Sequence, residues 1–492
     1  MKRFEKANMS NNNLKPPKKS ILGKSDQTAL GAKNQVRKFD IFLILIIFIM
    51  IITPFIINFA KKQDVDTKQI TLSLSPRSAE LLGKEITEKL LTEFNERDSD
   101  IQVKLQPEGE DTPPDILIFD EGDFSALVAA KMLSELISSE FDINAIHDDI
   151  ISDEESEYPQ IDDSIPEATQ MAVPLVSFIN LLFYNIGILS EAGFDHPPKT
   201  REEFLNYART VSGKKFSLYA HENIYGTALS LSVEDRQSLA RDIFSWMWAA
   251  GGDFWTNEDK PSLNTRTITA DLNFIGNLNR GEILAPDVFE TTGSQRIEEF
   301  AQGKIALLIA STRAIPYLRE IMGDEVFSIT TIPGAGTGGR YSISISSIYA
   351  GISSDISPDN ISYENLQSDK KSAEKILNEK KLYDEMKYAA AADFVKFLAE
   401  KSNLFCAEFS AIPGSLSNPI PADYVRTDPF YSKAWDIFEA SRIVQGFSGK
   451  SGAESYKTIF LDELRKFFES NQTAAQTVNA IQKQWDGVEV ED

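Results

Sequence analysis

Residues 170–205 read QMAVPLVSFINLLFYNIGILSEAGFDHPPKTREEFL, and this stretch decides the fold. Its two apolar runs, interrupted by Pro174, predict an extended strand. A short helix-like segment and a turn with two prolines follow. Thr200, with Glu203 three residues later, fits a capping box that begins a second helix. The order of strand, helix, turn and capped helix indicates an α/β protein.

Before this stretch, strand patterns alternate with helical patterns. Alternating or fully apolar runs predict strands, and apolar residues at helical spacing predict helices. The predicted strands are 69–74, 101–105 and 116–119, and the predicted helices are 78–94 and 127–136. This alternation predicts a parallel α/β sheet with right-handed crossovers.

After the stretch, the same two patterns continue to the end of the chain. They predict helices at 238–250, 271–278, 296–301 and 389–405, strands at 304–309, 327–332 and 341–352, and further helices near the C-terminus. The glycine-rich run 333–339 lacks the Gly-Lys-Ser/Thr ending of a phosphate-binding loop, so we interpret it as a turn. Polar, charged residues at 355–388 predict an exposed helical insertion, and the acidic run 141–167 predicts a surface segment.

The N-terminal region differs sharply from the rest in charge. Residues 1–40 hold ten Lys or Arg and three acids, a net charge of +7. Because the whole chain carries −24, the remaining residues carry −31. We predict a disordered basic cytoplasmic tail there, a transmembrane anchor at 41–60 and a linker at 61–68. The basic flank places everything after residue 60 outside the cytoplasm. A cleaved signal peptide is the alternative, but its apolar region is usually shorter than twenty residues.

Residue types exclude several classes of function. The single cysteine, Cys406, lies in an apolar run, so no internal disulfide forms and a buried thiol is expected. The three histidines are scattered without metal-binding spacing, so neither a metal site nor another cofactor is predicted. A region with a charge of −31 is unsuited to binding nucleic acid.

An acidic loop follows the predicted strand 116–119. Open α/β sheets bind ligands beyond the carboxyl ends of their strands, where Asp120, Glu121 and Asp123 lie. Carboxylates can accept hydrogen bonds from a polyol or pair with a cation. Aromatic rings can pack on sugar faces, and the rings near predicted strand ends or turns are Phe119, Phe178, Tyr184, Tyr225, Trp248, Trp255 and Tyr341. A carboxylate pair for glycoside hydrolysis remains an alternative.

An ordered series of short motifs carries a resemblance. The motifs are Pro114-Asp115-Ile116, Ala172-Val173-Pro174, Phe183-Tyr184-Asn185, Ala192-Gly193-Phe194, Pro197 to Thr200 with Glu203-Phe204, Gly251-Gly252, Phe300 with Gly303-Lys304 and Ala306-Leu307, Ile332-Pro333-Gly334, Ala392 with Phe394 and Phe397-Leu398, and Ile412-Pro413. In this order they resemble the family 1 extracellular solute-binding proteins, the maltose-binding-like receptors of ABC importers. The resemblance covers about residues 69–486.

The resemblance implies a two-lobe periplasmic-binding-protein fold of type II, with the ligand between the lobes. It implies a first lobe of 69–175 and 333–411 and a second lobe of 176–332 and 412–486. Hinged closure would capture a small-molecule ligand, most simply a sugar, for ABC permease subunits. Together with the carboxylates and aromatics above, the expected ligand-binding residues are Phe119, Asp120, Asp123, Ser177, Phe178, Tyr225, Trp248, Ser311, Arg313 and Tyr341.

Two departures from the family pattern bear on the ligand. Thr312-Arg313 occupies a loop where sugar binders of this family commonly have Trp, and Arg201 replaces another usual Trp. Arg313 could pair with an anionic ligand or with Asp120 across the cleft. We therefore expect a solute-binding protein anchored in the inner membrane and facing the periplasm or exterior, without enzymatic activity. An anchored sensor or scaffold on the same fold and a glycan hydrolase are the alternatives.

Overall fold

The computed structural model describes fifteen ranges of the chain. These ranges are 69–97, 100–110, 112–136, 171–219, 223–235, 237–252, 254–256, 260–263, 266–334, 341–356, 370–414, 427–444, 446–447, 450 and 452–488. The predicted tail, transmembrane anchor, linker and acidic segment lie outside them, as do residues 335–339 of the glycine-rich turn and most of the first half of the predicted insertion. Within the described ranges, no helix is both long and apolar enough to cross a membrane.

Ten strands form one hydrogen-bonded network in the described chain. They are β1 (Ile70–Leu74), β2 (Ile101–Leu105), β3 (Ile116–Asp120), β4 (Val173–Asn185), β5 (Tyr225–Thr227), β6 (Ile305–Ser311), β7 (Phe327–Thr330), β8 (Tyr341–Ile352), β9 (Ile412–Pro413) and β10 (Ser441–Val444). Their main order is β2-β1-β3-β8-β4-β6-β5. The sheet is mixed: β1 is parallel to β2 and β3, whereas β8 is antiparallel to both β3 and β4.

Helices pack on the faces of this network. They are α1 (Arg77–Leu81), α2 (Lys84–Arg97), α3 (Glu121–Ala129), α4 (Ile186–Glu191), α5 (Arg201–Val211), α6 (Ser245–Ala249), α7 (Arg266–Arg280), α8 (Gly293–Ala301), α9 (Ile315–Met322), α10 (Lys370–Glu400), α11 (Ser402–Phe409), α12 (Pro429–Glu439), α13 (Ala453–Glu469) and α14 (Ala474–Trp485). A π-helical turn, Ala240–Phe244, leads directly into α6.

Two long strands cross between two groups of shorter ones. The first half of β4 pairs with β8 and β9, and from Asn180 onward β4 pairs with β6 and β7. In β8 the order is reversed: Tyr341–Ser344 pair with β10, and the end of the strand pairs with β3. Each crossing strand thus belongs to both groups, an arrangement that permits hinge motion.

Separate apolar cores surround the two strand groups. We use "first lobe" for the part built on β1–β3, α2 and α10, whose core includes Leu72, Phe94 and Phe394. We use "second lobe" for the part built on β5–β7 with α5–α8, α13 and α14. Its largest core contains Trp246, Trp248 and Trp485. Two cores on two strand groups are what a ligand site between lobes requires.

Local structure corrects some predicted helix bounds. The predicted helix 78–94 is two helices, because Gly83 adopts a φ of 86° and interrupts it between α1 and α2. The predicted helix 389–405 is instead the end of the 31-residue α10, followed after Lys401 by α11. The predicted helix 238–250 begins as the π-helical turn.

Candidate functional site

Loops from adjacent parallel strands meet at the carboxyl edge of the first lobe. Arg77 begins α1 just after β1, and Asp120 ends β3. The Asp120 carboxylate accepts a hydrogen bond from the Gly122 N–H at 2.9 Å, which caps α3. An Arg77 Nη2 donates to Asp120 Oδ2 at 3.2 Å, and Arg77 also forms an ion pair with Asp123. The predicted acidic loop is instead the cap and first turn of α3, which ends at Ala129 in place of the helix predicted at 127–136, and Arg77 at the start of α1 pairs with its two aspartates.

Glu121 lies beside these two aspartates and contacts β8. The Tyr349 hydroxyl donates to Glu121 Oε2 at 2.6 Å, and the Ser347 backbone also hydrogen-bonds to the carboxyl group. Burial raises the pKa of Glu121 to about 7, although the bonds from Tyr349 and Ser347 and the charge of Lys457 oppose the increase. The side chain retains partial solvent access. Burial and the nearby Glu121 also raise the pKa of Tyr349, so its hydroxyl stays protonated.

Hydroxyl groups line the crossing strands next to Glu121. Ser177 Oγ of β4 and Ser347 Oγ of β8 lie 2.8 Å apart and are buried. Farther along the same strands, Asn180 Nδ2 donates to Ser344 Oγ at 3.2 Å. A small pocket lies there, and its lining residues are Asn180, Ser245, Ala249, Thr331, Ile332, Ser342, Ile343 and Ser344. These pocket side chains are uncharged, and most can form hydrogen bonds.

Arg313 joins the two lobes. Ser311, at the end of β6, caps the short helical turn Thr312–Ala314 and accepts from the Arg313 N–H at 3.3 Å. The guanidinium lies 5.6 Å from the centre of the Phe178 ring and donates to the Leu81 carbonyl oxygen of the first lobe at 3.4 Å. Burial lowers the pKa of Arg313, while Asp120 and Glu80 of the first lobe oppose that change.

These contacts connect one set of residues from both lobes. We name it the interlobe site, and its members are Arg77, Asp120, Glu121, Asp123, Ser177, Phe178, Arg313, Ser347 and Tyr349. Carboxyl and hydroxyl groups in one place can bind a polar ligand with many hydroxyl groups. The Phe178 ring is 3% exposed in this conformation and packs in the first-lobe core.

The structure distributes the other expected residues more widely. Phe119 is 2% exposed, with its ring stacked on Tyr349, and Trp248 is 1% exposed among core rings. Both side chains are enclosed by apolar neighbours in this conformation because each points into a core. Tyr225 begins β5 and packs, half-buried, against the second-lobe core, and Tyr341 begins β8 opposite Ser441 of β10.

Several members of the interlobe site were not predicted as ligand-binding residues. Arg77 directly follows the first strand, so its position beyond a strand end was a usable signal. Glu121 was placed in the acidic loop, but nothing in the sequence distinguishes it from its neighbours. Ser347 and Tyr349 are brought to Glu121 by the pairing of β3 with β8, which composition does not reveal.

The Arg201 departure has a structural explanation. Its Nη1 donates to Asp271 Oδ1 at 2.5 Å, its Nη2 donates to the Trp246 carbonyl oxygen at 2.5 Å, and the guanidinium lies 4.8 Å from the Phe274 ring centre. Arg201 thus links α5, α6 and α7 and makes no contact with the interlobe site.

The described residues contain no group of three or more His, Cys, Asp or Glu side chains placed to hold a metal ion. The carboxylates Asp120 and Asp123 instead share the cation Arg77. The interlobe site is therefore suited to hydrogen bonding.

Comparisons with known proteins agree with this architecture. The sequence model of the family described as bacterial extracellular solute-binding protein matches residues 79–356. No curated protein sequence matches the chain. Among solved structures, maltose-bound MalE3 of T. maritima has 16% identity and a TM-score of 0.61, and the match covers 85% of this chain and 99% of that one.

Two further solved structures show the same similarity. UgpB from Mycobacterium tuberculosis, in complex with glycerophosphocholine, has 16% identity and a TM-score of 0.59 over 85% of this chain and 97% of that one. The GacH receptor of Streptomyces glaucescens, solved unliganded and with acarbose, has 13% identity and a TM-score of 0.59 over the same shares. At identities this low, the structural matches show a common fold only: a mixed α/β structure similar to the two-lobe periplasmic-binding proteins.

Proposed function

Because the chain belongs to the bacterial extracellular solute-binding proteins, we propose that it captures a polar solute reversibly at the interlobe site. The observation that carries this proposal is the continuous set of contacts that joins both lobes at one place. Arg313 of the second lobe donates a hydrogen bond to the Leu81 carbonyl oxygen of the first lobe. Ser177, on a crossing strand, contacts Ser347, whose backbone hydrogen-bonds to Glu121. A ligand placed there would touch both lobes and stabilise their closure.

The chemistry of the site favours a sugar or a related uncharged polyol. Asp120, Glu121 and Asp123 offer acceptors for hydroxyl groups. The positive charge of Arg313 already faces the Leu81 carbonyl oxygen and the carboxylates of Asp120 and Glu80. An anionic ligand would have to compete with those groups, so we rank it second.

The wider assignment is also a proposal. Membership in the family supports a location outside the cytoplasm and delivery of the ligand to ABC permease subunits. The apolar run at 41–60 would anchor the chain in the membrane. We assign no enzymatic activity, because the chain belongs to a family of solute-binding proteins.

Thermal unfolding of the full chain, purified in detergent, tests this function. The five tryptophans provide the fluorescence signal, and the compounds are maltose, acarbose and glycerophosphocholine. A compound at about 100 times its dissociation constant adds about 2.7 kcal/mol of stability. Maltose or acarbose is expected to raise the unfolding temperature, and glycerophosphocholine to have a smaller effect.

A pair of variants locates the binding site. Asp120→Asn keeps a good helix cap but removes the carboxylate charge, so it is expected to reduce the ligand-induced shift. Asp195→Asn, whose side chain is 96% exposed on a turn of the second lobe, should leave the shift unchanged. If no sugar or polyol in a wider panel shifts the transition, solute capture is contradicted; equal loss in both variants would contradict the proposed location.

A further inference from the structure

The face of α10 that packs against α2 continues beyond the end of that helix. Residues spaced by four or three positions form this one stripe, and they are Leu382, Met386, Ala390, Phe394 and Phe397. The rings of Phe394 and Phe397 pack on Phe94 of α2, with ring centres 4.8 and 5.3 Å away. Leu382 and Met386, in contrast, are 58% and 47% exposed. The apolar stripe is therefore longer than the surface that covers it.

Two ion pairs show where the cover ends. Arg97, the last residue of α2, pairs with Asp393 of α10 at 3.3 Å, and Glu93, one turn earlier in α2, pairs with Lys401. The two helices therefore run antiparallel, and α10 before Ala390 extends past the last turn of α2. This is why α2 does not reach Leu382 and Met386.

The exposed end of the stripe is apolar but not isolated from charge. Tyr383 is also exposed, and we name Leu382, Tyr383 and Met386 the apolar patch. Its charged neighbours on the helix cancel one another, and they are Lys380, Lys381, Asp384 and Glu385. Because the chain after residue 40 carries −31, most of its surface would be repelled by an anionic membrane. The neutral surroundings of the apolar patch avoid that repulsion.

The apolar patch lies at the amino edge of the first-lobe strands. Lys387, next to Met386, donates to Asp115 Oδ1 at 2.6 Å, directly before β3 begins. The first residue of β1, Ile70, donates its N–H to the Asp100 carbonyl oxygen at 2.8 Å, directly before β2. The described chain therefore enters the first lobe at the same edge, whereas the interlobe site lies at the opposite, carboxyl edge.

The sequence before β1 limits what can cover the apolar patch. The predicted linker, 61–68, reads KKQDVDTK, and its polar residues are ill suited to an apolar surface. Fully extended, it spans at most about 28 Å from the predicted anchor at 41–60. A surface tethered so closely meets the bilayer at high effective concentration, so a contact too weak between separate molecules can form.

We propose that the apolar patch of α10 inserts into the headgroup region of the membrane that holds the anchor. The first lobe would then rest on lipid by its amino edge, and the interlobe site would stay clear of lipid. Leucine and methionine side chains suit the boundary of the acyl chains, and a tyrosine ring suits the headgroup level. This inference rests on the anchored location in the proposed function, but not on capture of a solute.

Quenching by lipid in nanodiscs that hold the full chain provides the test. The discs contain phosphatidylcholine and phosphatidylglycerol, with or without a lipid that carries a doxyl quencher near its headgroup. An NBD fluorophore is attached at Met386→Cys, and the native Cys406 is buried and should remain unlabelled. The quencher is expected to remove about half of the NBD emission. A label at Asn206→Cys, exposed on α5 of the second lobe, should keep nearly all of its emission.

Two variants in the Met386→Cys background identify the contact. Leu382→Ser combined with Tyr383→Ser should abolish the quenching. Val233→Ser, which changes an exposed apolar residue of the second lobe, should preserve it. Because all three side chains are exposed, the unfolding temperature should stay the same in both variants. Quenching that survives the double substitution, or that is lost equally in the Val233→Ser control, would overturn the proposal.

The remaining outcomes separate lipid from other occupants and this proposal from the proposed function. A label shielded from iodide but not quenched by the doxyl lipid would show that protein covers the apolar patch, which overturns lipid contact. Lipid quenching without a thermal response to any sugar or polyol would leave lipid contact standing while solute capture fails. Sugar binding without quenching would give the reverse result. A full chain that does not remain in nanodiscs would overturn both the anchor and the lipid contact.

Discussion

At the scale of single residues, substitution of Arg201 tests whether this departure from the family pattern serves to stabilise the fold. Asp271 is fully buried, and its carboxylate faces the Arg201 guanidinium. Replacing Arg201 with Leu would leave that carboxylate buried without its cation, which typically costs about 3–5 kcal/mol. Chemical denaturation of Arg201→Leu should show a loss of that size.

Two further variants separate charge from packing at this position. Arg209→Leu, in the last turn of the same helix and exposed, should change stability by less than about 0.5 kcal/mol. The double variant Arg201→Leu with Asp271→Leu should recover much of the loss, because no unpaired charge remains. A double variant as unstable as the single one would show that packing on Phe274, and not the ion pair, dominates.

Cys406 gives a second prediction at the same scale. Burial raises the pKa of its thiol to about 12, although a hydrogen bond with Ser402 opposes the shift. At pH 8 about one thiol in ten thousand is then ionised, so a disulfide reagent should modify the native chain very slowly. Unfolding in denaturant should expose the Cys406 thiol, which then reacts rapidly with the reagent. The exposed Lys89→Cys serves as the control that reacts at once in the native chain, and equally rapid modification of native Cys406 would contradict its burial.

Single residues also show where sequence reasoning reaches its limit. The burial of Cys406 followed from its apolar neighbours, and the structure confirms it. The orientation of Phe119 and Trp248 did not follow, since an aromatic ring near a strand end can point into a core or into a cleft. That choice depends on side-chain packing, against Tyr349 from a distant part of the chain in one case and against Phe254 beyond the turn after α6 in the other.

At the scale of elements, the cap of α5 is the clearest test. The Thr200 hydroxyl accepts from the Glu203 N–H at 3.1 Å, as the predicted capping box requires. The Glu203 carboxylate, however, accepts from the Lys199 N–H at 2.7 Å instead of the Thr200 N–H. Thr200→Ala should therefore cost about 1 kcal/mol in chemical denaturation, through one lost cap.

The same helix offers a matched control for that loss. Thr210 bonds only to the Asn206 carbonyl one turn earlier, so Thr210→Ala should be nearly neutral. Equal destabilisation by both substitutions would show that the Thr200 cap contributes nothing specific.

Elements with strong local signals were predicted well, and their ends less well. The strand at 341–352 and the capped helix from Arg201 follow from alternation and from the cap. The break at Gly83 and the π-helical turn before α6 depend on backbone conformations that apolar spacing does not report. The predicted continuous helix at 78–94 was wrong for that reason.

At the scale of the whole molecule, the α/β class follows from the alternation of patterns, whereas the sheet order does not. Pairing of β3 with β8 joins residues more than 200 positions apart, and the antiparallel β8 makes the sheet mixed instead of parallel. Only the ordered motifs indicated the family. Of the interlobe site, the acidic residues and Arg77 could be predicted from their positions beyond strand ends, but the partners on β8 could not.

The final prediction concerns the balance between open and closed lobes. Arg313 donates to the Leu81 carbonyl across the lobes, so Arg313→Ala should shift ligand-free molecules toward open conformations. A hydrogen bond of this kind contributes about 1 kcal/mol, which corresponds to a roughly fivefold lower closed-to-open ratio. The measurement is the distance distribution between spin labels at Lys89→Cys on α2 and Asn206→Cys on α5, obtained by pulsed electron spin resonance. Arg209→Ala, exposed and remote from the other lobe, should leave it unchanged. If Arg313→Ala has the same distribution as that control, the contact with Leu81 does not contribute to closure. If instead Arg313→Ala closes the lobes further, the guanidinium acts as a spacer in the absence of ligand, and the anionic-ligand alternative becomes the stronger one.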